Sequence, residues 1–595
     1  MRTKESIDRS YKVIGKIFRE MREEKGISQE ALVQNLMTQR SLSNFELQGE
    51  VPCWLILRVL LQRLGKNADY FVTMLSKQEY EYFAWREKVM QAIANGTVSD
   101  KEWQCDMAKD RTIHEVLQAQ FVEFWEGYCN KNVEQMNKAI ALTITGYPQE
   151  LPMDICISTE EITYILLCME IAFMQSKGEE NYLRALLNYM ENKWQEDERV
   201  KVYGKAVCLF GAYAENAQPY EKLWYYEKAI ELCRRMNRLS SLAELIHRYL
   251  KEAERLGAQV NEDYKNGVYA LDKIKQIFKI EERDFMLGQI QQEFYLLNEV
   301  LQNYRMERNL SVNEIGSIVC SEKTYRALEK GKRNANKTTY DAIADFMDIP
   351  FGTYSTGIVT DKYSDLRLVT QIQAMQRIHD SEGEEWFLKE LEESLGERTE
   401  IPQNKQFISS VRGITLFSEK RIEPEDYIRR VEEEIRLTIP EWEVNYKEHF
   451  YTKMEMLLVF YLASAYEKLE KADIALSLLG ELWEKIETSQ VEKTHRANEA
   501  LIVLIGLKET FSNAGHYEEA KAKILEGLQL CFDCNRGDKL DVFVFEQGWI
   551  LEQEGRMVEE CTEYFRWAFY VSRLFYRMII PEQIKGYCDR HGYIL

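Results

Sequence analysis

Proline is scarce in this chain, 9 residues in 595, and glycine is modest at 29. So few helix breakers beside abundant Leu, Glu, Lys and Tyr predict long stretches of helix. No apolar run is long: the richest, Met456–Tyr461 and Ala500–Leu507, fall well short of the ~20 residues a membrane span requires. The opening Met1-Arg-Thr-Lys-Glu-Ser6 has no apolar signal core. The 12 cysteines form no dense, regular framework, and most stand at apolar helical positions such as Cys168 and Cys208. Small buried thiols of that kind belong to a reducing compartment. A soluble, cytoplasmic protein with no membrane partner is therefore expected. Positive charge is short as well, with 77 Lys and Arg against 98 Asp and Glu, a net charge of −21. That total is wrong for a generally basic nucleic-acid binder, so the distribution of charge carries more information than the sum.

Chemical motifs are missing too. The seven histidines, including His114, His247, His495 and His516, join no carboxylate or cysteine in a recognisable motif. There is no glycine-rich phosphate loop, no Gly-x-Ser-x-Gly and no His-Glu-x-x-His. Cys531-Phe-Asp-Cys534 is half a zinc site, with no second pair or histidine close in sequence. Runs such as Glu432-Glu-Glu434 are solvated helix faces. Neither an enzyme nor a metal or cofactor is expected.

What the chain does contain is the same segment twice. Residues 27–46 (Ile-Ser-Gln-Glu-Ala-Leu through Asn-Phe-Glu) align without a gap on 310–329 (Leu-Ser-Val-Asn-Glu-Ile through Ala-Leu-Glu). Ser28 meets Ser311 and Glu46 meets Glu329, each 283 positions on. Repeats of this kind decide an architecture. In the first copy, Ile14, Ile17, Phe18 and Met21 mark one helical face and Gly26 ends that helix. Ser28 caps a second helix with Ala31, Leu32 and Leu36 inward, and Thr38 caps a third with Leu42 and Phe45 inward. A fourth, after Pro52, places Leu57, Leu60, Leu61 and Leu64 on its inner side. The second copy repeats the logic through Leu301, Tyr304, Ser311, Ile315, Ile318, Ser321, Tyr325 and Leu328. Tyr340, Ile343, Ala344 and Met347 line its last helix.

Such a unit lays one helix in the major groove of double-stranded DNA, its short polar side chains toward base edges. The candidate readers are Gln39, Arg40, Ser41 and Asn44 in the first copy. In the second they are Glu322, Lys323, Thr324, Arg326 and Ala327, with Lys330, Lys332 and Arg333 gripping phosphate. Gln29 and Asn313 stand at the start of the preceding helix, where free N–H groups favour a phosphate. From Ser321 to Lys337 six cations face two acids, an excess of four in seventeen residues of an acidic chain. Arg2, Lys4, Arg9, Lys12, Lys16, Arg19, Arg22 and Lys25 form a second basic zone, interleaved with acids. Taken alone such runs are solvated helix ends; on this frame they are where phosphate binding starts.

Met21-Arg-Glu-Glu-Lys-Gly-Ile-Ser-Gln-Glu30 and Tyr325-Arg-Ala-Leu-Glu-Lys-Gly-Lys-Arg333 resemble the Xre (lambda-repressor-like) helix-turn-helix family, over roughly residues 10–70 and 293–352. The Glu-x-Gly-x-x turn of the second copy is the more specific mark. The first copy carries an extra residue there, Glu46-Leu-Gln-Gly49, and both are one residue short before the reading helix.

The remainder repeats as well. Leu232-Cys-Arg-Arg-Met-Asn-Arg238 matches Leu530-Cys-Phe-Asp-Cys-Asn-Arg536 at an offset of 298. The second half has thus gained about fifteen residues, expected in the polar stretch Gly396–Gln406. Cys534 falls opposite Met236, so this sulfur is read as packed apolar. Leu504, Leu507, Phe511, Gly515, Tyr517, Ala520, Ile524 and Leu530 follow tetratricopeptide spacing, with a further helix pair, Val542–Glu554 and Val558–Arg573, turning at Gly555. Tyr220, Trp224, Ala229, Ile230 and Leu232 mark the like helix of the first half. Arrays of this kind must stack to bury their faces, which leaves a concave groove.

The expected fold is all-α: two lambda-repressor-like domains (1–72 and 293–352) alternating with two tetratricopeptide-like arrays (73–292 and 353–595). A reader joined to such an array resembles the Rgg/PlcR-type regulators of Gram-positive bacteria. That resemblance implies DNA binding, dimerisation and quorum sensing through an imported peptide. A peptide or protein effector in the groove and a homodimer are therefore expected partners. The rival reading is a helical-repeat adaptor for other proteins, its helix-turn-helix copies kept as packing domains.

Overall fold

A computed structural model describes residues 12–49, 53–66, 73–96, 115–149, 155–281, 293–333, 337–347, 349, 357–440, 442, 449, 451–577 and 579–595. The first four-helix unit is α1 (Lys12–Glu24), α2 (Gln29–Val33), α3 (Gln39–Gln48) and α4 (Trp54–Arg63). Local chemistry sets its turns. Gly26 takes φ +65° after α1, a region costly for any side chain. The Ser28 and Thr38 hydroxyls accept hydrogen bonds from Ala31 N and Ser41 N, both at 3.1 Å, closing the starts of α2 and α3.

Strand β1 (Thr73–Leu75) leads into α5 (Lys77–Ala94), α6 (Glu115–Cys129), α7 (Val133–Ala141) and α8 (Thr159–Met174). Then follow α9 (Glu180–Lys193), α10 (Glu196–Tyr213), α11 (Pro219–Arg235), α12 (Leu242–Leu256) and α13 (Glu262–Phe278). Helix α4 departs from expectation. It is buried on every side, Arg58, Gln62 and Arg63 included, because one face fills the unit's core and another rests on α8. Arg63 is the anchor: its guanidinium meets Glu161 at 2.6 Å and donates to Leu32 O, Gln34 O and Thr143 O at 2.8–3.2 Å. A buried charge persists only when paired and hydrogen-bonded in this way.

The second unit opens on strand β2 (Phe294–Leu296), followed by α14 (Leu297–Glu307), α15 (Val312–Ile318), α16 (Glu322–Glu329) and α17 (Lys337–Met347). Leu301, Tyr304, Ile315, Tyr325, Leu328, Ile343, Ala344 and Met347 are buried. Ile318, expected inside, is 63% exposed; it is the last residue of a two-turn helix and lies beyond the unit's small core. The side chain of Tyr340 lies outside the described residues.

The chain continues through α18 (Tyr363–Ile378), α19 (Ser381–Leu395), a 3-10 turn (Gly396–Glu400), α20 (Pro402–Ser418) and α21 (Pro424–Arg436). It ends with α22 (Lys453–Lys468), α23 (Ala472–Thr488), α24 (Ala497–Asn513), α25 (Tyr517–Asp533), α26 (Leu540–Gln553), α27 (Val558–Leu574) and α28 (Ile580–His591). The architecture is all-α, and among the described residues β1 and β2 form the one sheet. The polar stretch Gly396–Gln406 is the 3-10 turn plus the start of α20, with Pro402 in the first turn, where a missing N–H is harmless. The extra length accrues gradually. Helices begin at Lys77 and Tyr363, 286 apart, then at Thr159 and Lys453, 294 apart, then at Pro219 and Tyr517, 298 apart.

Each half reaches into the other. The strands pair in parallel, Thr73 with Phe294 and Leu75 with Leu296, and Phe294 enters an aromatic cluster with Trp54, Tyr80 and Phe83. Helix α18, which follows the second unit, packs on α1 of the first. There Lys16 meets Asp361 at 2.9 Å, Arg367 meets Glu24 at 2.8 Å, and Tyr363 N donates to Glu20 at 2.8 Å.

At the far end the two halves meet through residues 298 apart. Arg238 and Arg536 form an antiparallel bridge, Leu239 N donates to Asn535 O at 3.3 Å and Gly537 N to Asn237 O at 2.9 Å. Asn237 and Asn535 both take left-handed φ, +53° and +56°, which asparagine tolerates. Helix α13 packs on α27 beside this bridge. Arg234, 1% exposed, donates to Leu574 O at 2.7 Å and Arg573 O at 3.2 Å, capping the end of α27.

Candidate nucleic-acid interface

The third helices of the two units, α3 and α16, are built alike. Arg22 of α1 holds Glu46 of α3 with a two-pronged pair at 2.7 and 2.9 Å and donates to Ile27 O at 2.8 Å. Arg305 of α14 holds Glu329 of α16 and donates to Leu310 O at 2.9 Å. All three positions keep the 283 offset. Each pair locks the third helix onto the first from inside, and the Arg22–Glu46 pair has the geometric specificity of a guanidinium–carboxylate fork. The helix starts match too: Thr38 Oγ1 lies 2.8 Å from Ser41 Oγ, and Ser321 Oγ lies 2.7 Å from Thr324 Oγ1.

The outer faces differ. In the second unit Glu322, Lys323 and Arg326 are exposed, and Thr324 and Ala327 are half-buried. Arg326 is neutralised by Glu322 at 2.6 Å, one turn away, and Glu329 by Arg305. Lys323, Lys330, Lys332 and Arg333 are exposed and have no acidic partner within ion-pair distance among the described residues. Gly331, at φ +63°, lets the chain reverse after α16. Lys332 N bonds back to Ala327 O at 2.9 Å, and the three cations fan out around the turn. Lys77, from α5 of the other half, packs its stem against Gly331, while its ammonium lies 3.9 Å from Glu81 on its own helix. Of Lys337 only the backbone is described.

In the first unit Gln39, Arg40 and Ser41 are exposed and Asn44 is half-buried. Arg40 is the one cation on α3. The Gln29 amide donates to Glu46 at 2.8 Å and accepts from Gln39 at 3.4 Å, so it completes the buried pair. The described cations of α1 and of the turn after it face inward or pair on the surface. Lys16 meets Asp361, Arg19 meets Glu23 at 2.7 Å, Arg22 is buried with Glu46, and Lys25 donates to Lys193 O at 3.1 Å. Arg2, Lys4 and Arg9 lie outside the described residues, as does the side chain of Lys12. Asn313 is exposed. At its helix start Glu314 accepts from Ser311 N at 2.6 Å and Ser311 Oγ from Glu314 N at 3.2 Å. This capping box puts a carboxylate where a phosphate was expected.

Outside the two four-helix units, Leu504, Leu507, Ala520, Ile524 and Leu530 are buried as expected, while Tyr220 and Trp224 are 67% and 52% exposed. Cys531 and Cys534 are buried, and the Cys534 thiol donates to Thr494 O at 3.7 Å. Among the described residues no helix is long and apolar enough to cross a membrane.

No protein-family model matches the chain, and no curated protein matches it. Among solved structures, PlcR of Bacillus thuringiensis, in complex with the peptide PapR7 and DNA, is 12% identical with a TM-score of 0.32, over 49% of this chain and 98% of its own. The Streptococcus dysgalactiae SHP pheromone receptor Rgg2 is 13% identical with a TM-score of 0.27, over 50% of this chain and 99% of its own. Likeness at this level fixes no function.

Proposed function

We propose that the chain is a sequence-specific, DNA-binding regulator of transcription that carries two unequal readers on one polypeptide. The domains proposed are helix-turn-helix readers at 1–72 and 293–352 and tetratricopeptide-like arrays at 73–292 and 353–595. The observation that carries this reading is the unneutralised set Lys323, Lys330, Lys332 and Arg333 on α16 and its turn, in a chain of net charge −21. A cationic patch kept free of acids in an acidic protein suits a polyanion. The second reader is the stronger grip. The first contributes Gln39, Arg40, Ser41 and Asn44, while its α1 cations are engaged within the protein. The reciprocal bonds between residues 237–239 and 535–537 support a fused pseudo-dimer, since self-complementary contact marks a two-fold interface. One chain then presents two readers to half-sites, and the arrays take a peptide or protein effector.

Selection of bound DNA from a random pool should return a preferred sequence with one half-site better defined than the other. Charge reversal at Lys323, Lys330 and Arg333 together should weaken binding at least about 100-fold and lower the salt slope by about 3. Protection without sequence preference, or affinity indifferent to these reversals, sinks the proposal and favours the adaptor.

A further inference from the structure

A cavity of about 230 Å³ lies where three segments meet: the first unit, the start of α10, and α18 leaving the second unit. It is lined by Glu24, Lys66, Gln195, Tyr363, Arg367, Thr370 and Gln371. Lys66 is 2% exposed. Its ammonium has three donors; one goes to Tyr363 Oη at 2.5 Å, and the group sits 4.9 Å from the centre of that ring. No carboxylate lies within ion-pair distance of it among the described residues. A buried cation normally has a counter-ion. The carboxylate in the lining, Glu24, is already taken by Arg367 at 2.8 Å. Gln195 makes no capping bond with its side chain.

We propose that this cavity binds a small oxyanion, the carboxylate or phosphate of a metabolite-sized molecule, through Lys66, Tyr363 and Arg367. The volume holds several waters and is smaller than a drug-sized pocket, which suits an amino-acid or sugar-phosphate skeleton. An occupant ties α1 and α4 to α10 and α18, and so bears on how the first unit is seated against the other half. Burial and the neighbouring Lys25 and Arg367 hold the Lys66 pKa down to about 8, against the pull of Glu24 and Asp197. The ammonium form therefore prevails at neutral pH, and a bound anion supplies the compensation it lacks. The site stands apart from DNA reading, so each can fail without the other.

The test is a thermal melt of the full chain at pH 7 with inorganic phosphate or with acetate, each against chloride of equal ionic strength. A rise of about 2 °C or more with either anion is expected. Phosphate alone acting assigns a phosphorylated ligand, and acetate alone a carboxylate. Lys66→Met or Arg367→Gln should remove at least about half of the rise. The Arg367 side chain is 61% exposed and its pair with Glu24 lies at the surface, so its replacement should cost little stability. Equal melting in phosphate, acetate and chloride, or a rise unchanged in both variants, overturns the proposal.

Discussion

Two buried charges show how little a residue's type says about its task. Arg22 reads in sequence as one of several surface cations, yet it is buried with Glu46. Removing it strands a carboxylate with only the Gln29 amide for company. Arg22→Met should cost about 3–5 kcal/mol locally, seen as lost hydrogen-exchange protection in α3 while α25 is unchanged; undiminished protection in α3 refutes that role. Lys66 works in the opposite sense. Its folded pKa, about 8, lies below the unfolded value near 10.5. Between those limits the unfolded chain holds the extra proton, so stability rises with pH across the window. At pH 7 the buried charge costs of order 1–3 kcal/mol. Without added anion, Lys66→Met should melt above the native chain at pH 7, and the gap should close toward pH 10. A gap that stays constant with pH refutes the assignment. The match of Glu46 with Glu329 was legible at the 283 offset, but their pairing with Arg22 and Arg305 was not, because an arginine's partner is set by how two helices pack. Lys66 was not, because Tyr363 and Arg367 come from some three hundred residues away.

Among elements, the caps followed from local pattern, and so did the apolar faces apart from positions such as Ile318: Ser28, Thr38, Ser311 and Ser321 all cap the helices expected of them. How closely the helices approach did not follow. In the first unit Gly15 brings α1 against α3: a Cβ there would lie 2.1 Å from Phe45 O. In the second unit the tight approach moves to Gly316, where a Cβ would lie 2.7 Å from Glu322 backbone atoms. The matching positions are Asn298 and Val33, so the two units seat their third helices differently. Gly15→Ala and Gly316→Ala should each destabilise their unit by roughly 1–3 kcal/mol, because backbone cannot step aside as a side chain does. Gly480 sits inside α23 with nothing within 4 Å of an added Cβ. Gly480→Ala should instead stabilise by about 0.5–1 kcal/mol. Denaturation of the three variants, read by hydrogen exchange in α3, α16 and α23, separates these outcomes; a destabilised Gly480→Ala contradicts the packing account.

For the whole molecule, the halves are joined at both ends, by β1–β2 and α1–α18 at one and by α13–α27 with the 238–536 bridge at the other. A continuous core links first-half residues such as Tyr264 with second-half residues such as Leu574. Residues 1–281 and 293–595, expressed as two separate chains, should therefore associate one to one, and each alone should be less stable or self-pair through the same surface. Light scattering decides it: two well-folded, non-associating halves would mean the interface contributes little. On the proposed pseudo-dimer reading the intact chain should stay monomeric, because residues 237–239 and 535–537 already satisfy one another.

Helix positions, caps, the doubled unit and the all-α class were determined by the sequence alone, because each rests on interactions within a few turns. Which cations remain free was decided only by the tertiary structure. Lys16 finds Asp361, 345 residues on, while Lys323, Lys330, Lys332 and Arg333 meet no acidic side chain among the described residues. The same holds for the meeting of Arg238 with Arg536 and for the cavity at Lys66. An equal spacing in sequence shows that two segments share a design; only packing determines that they touch, because contact depends on every helix between them.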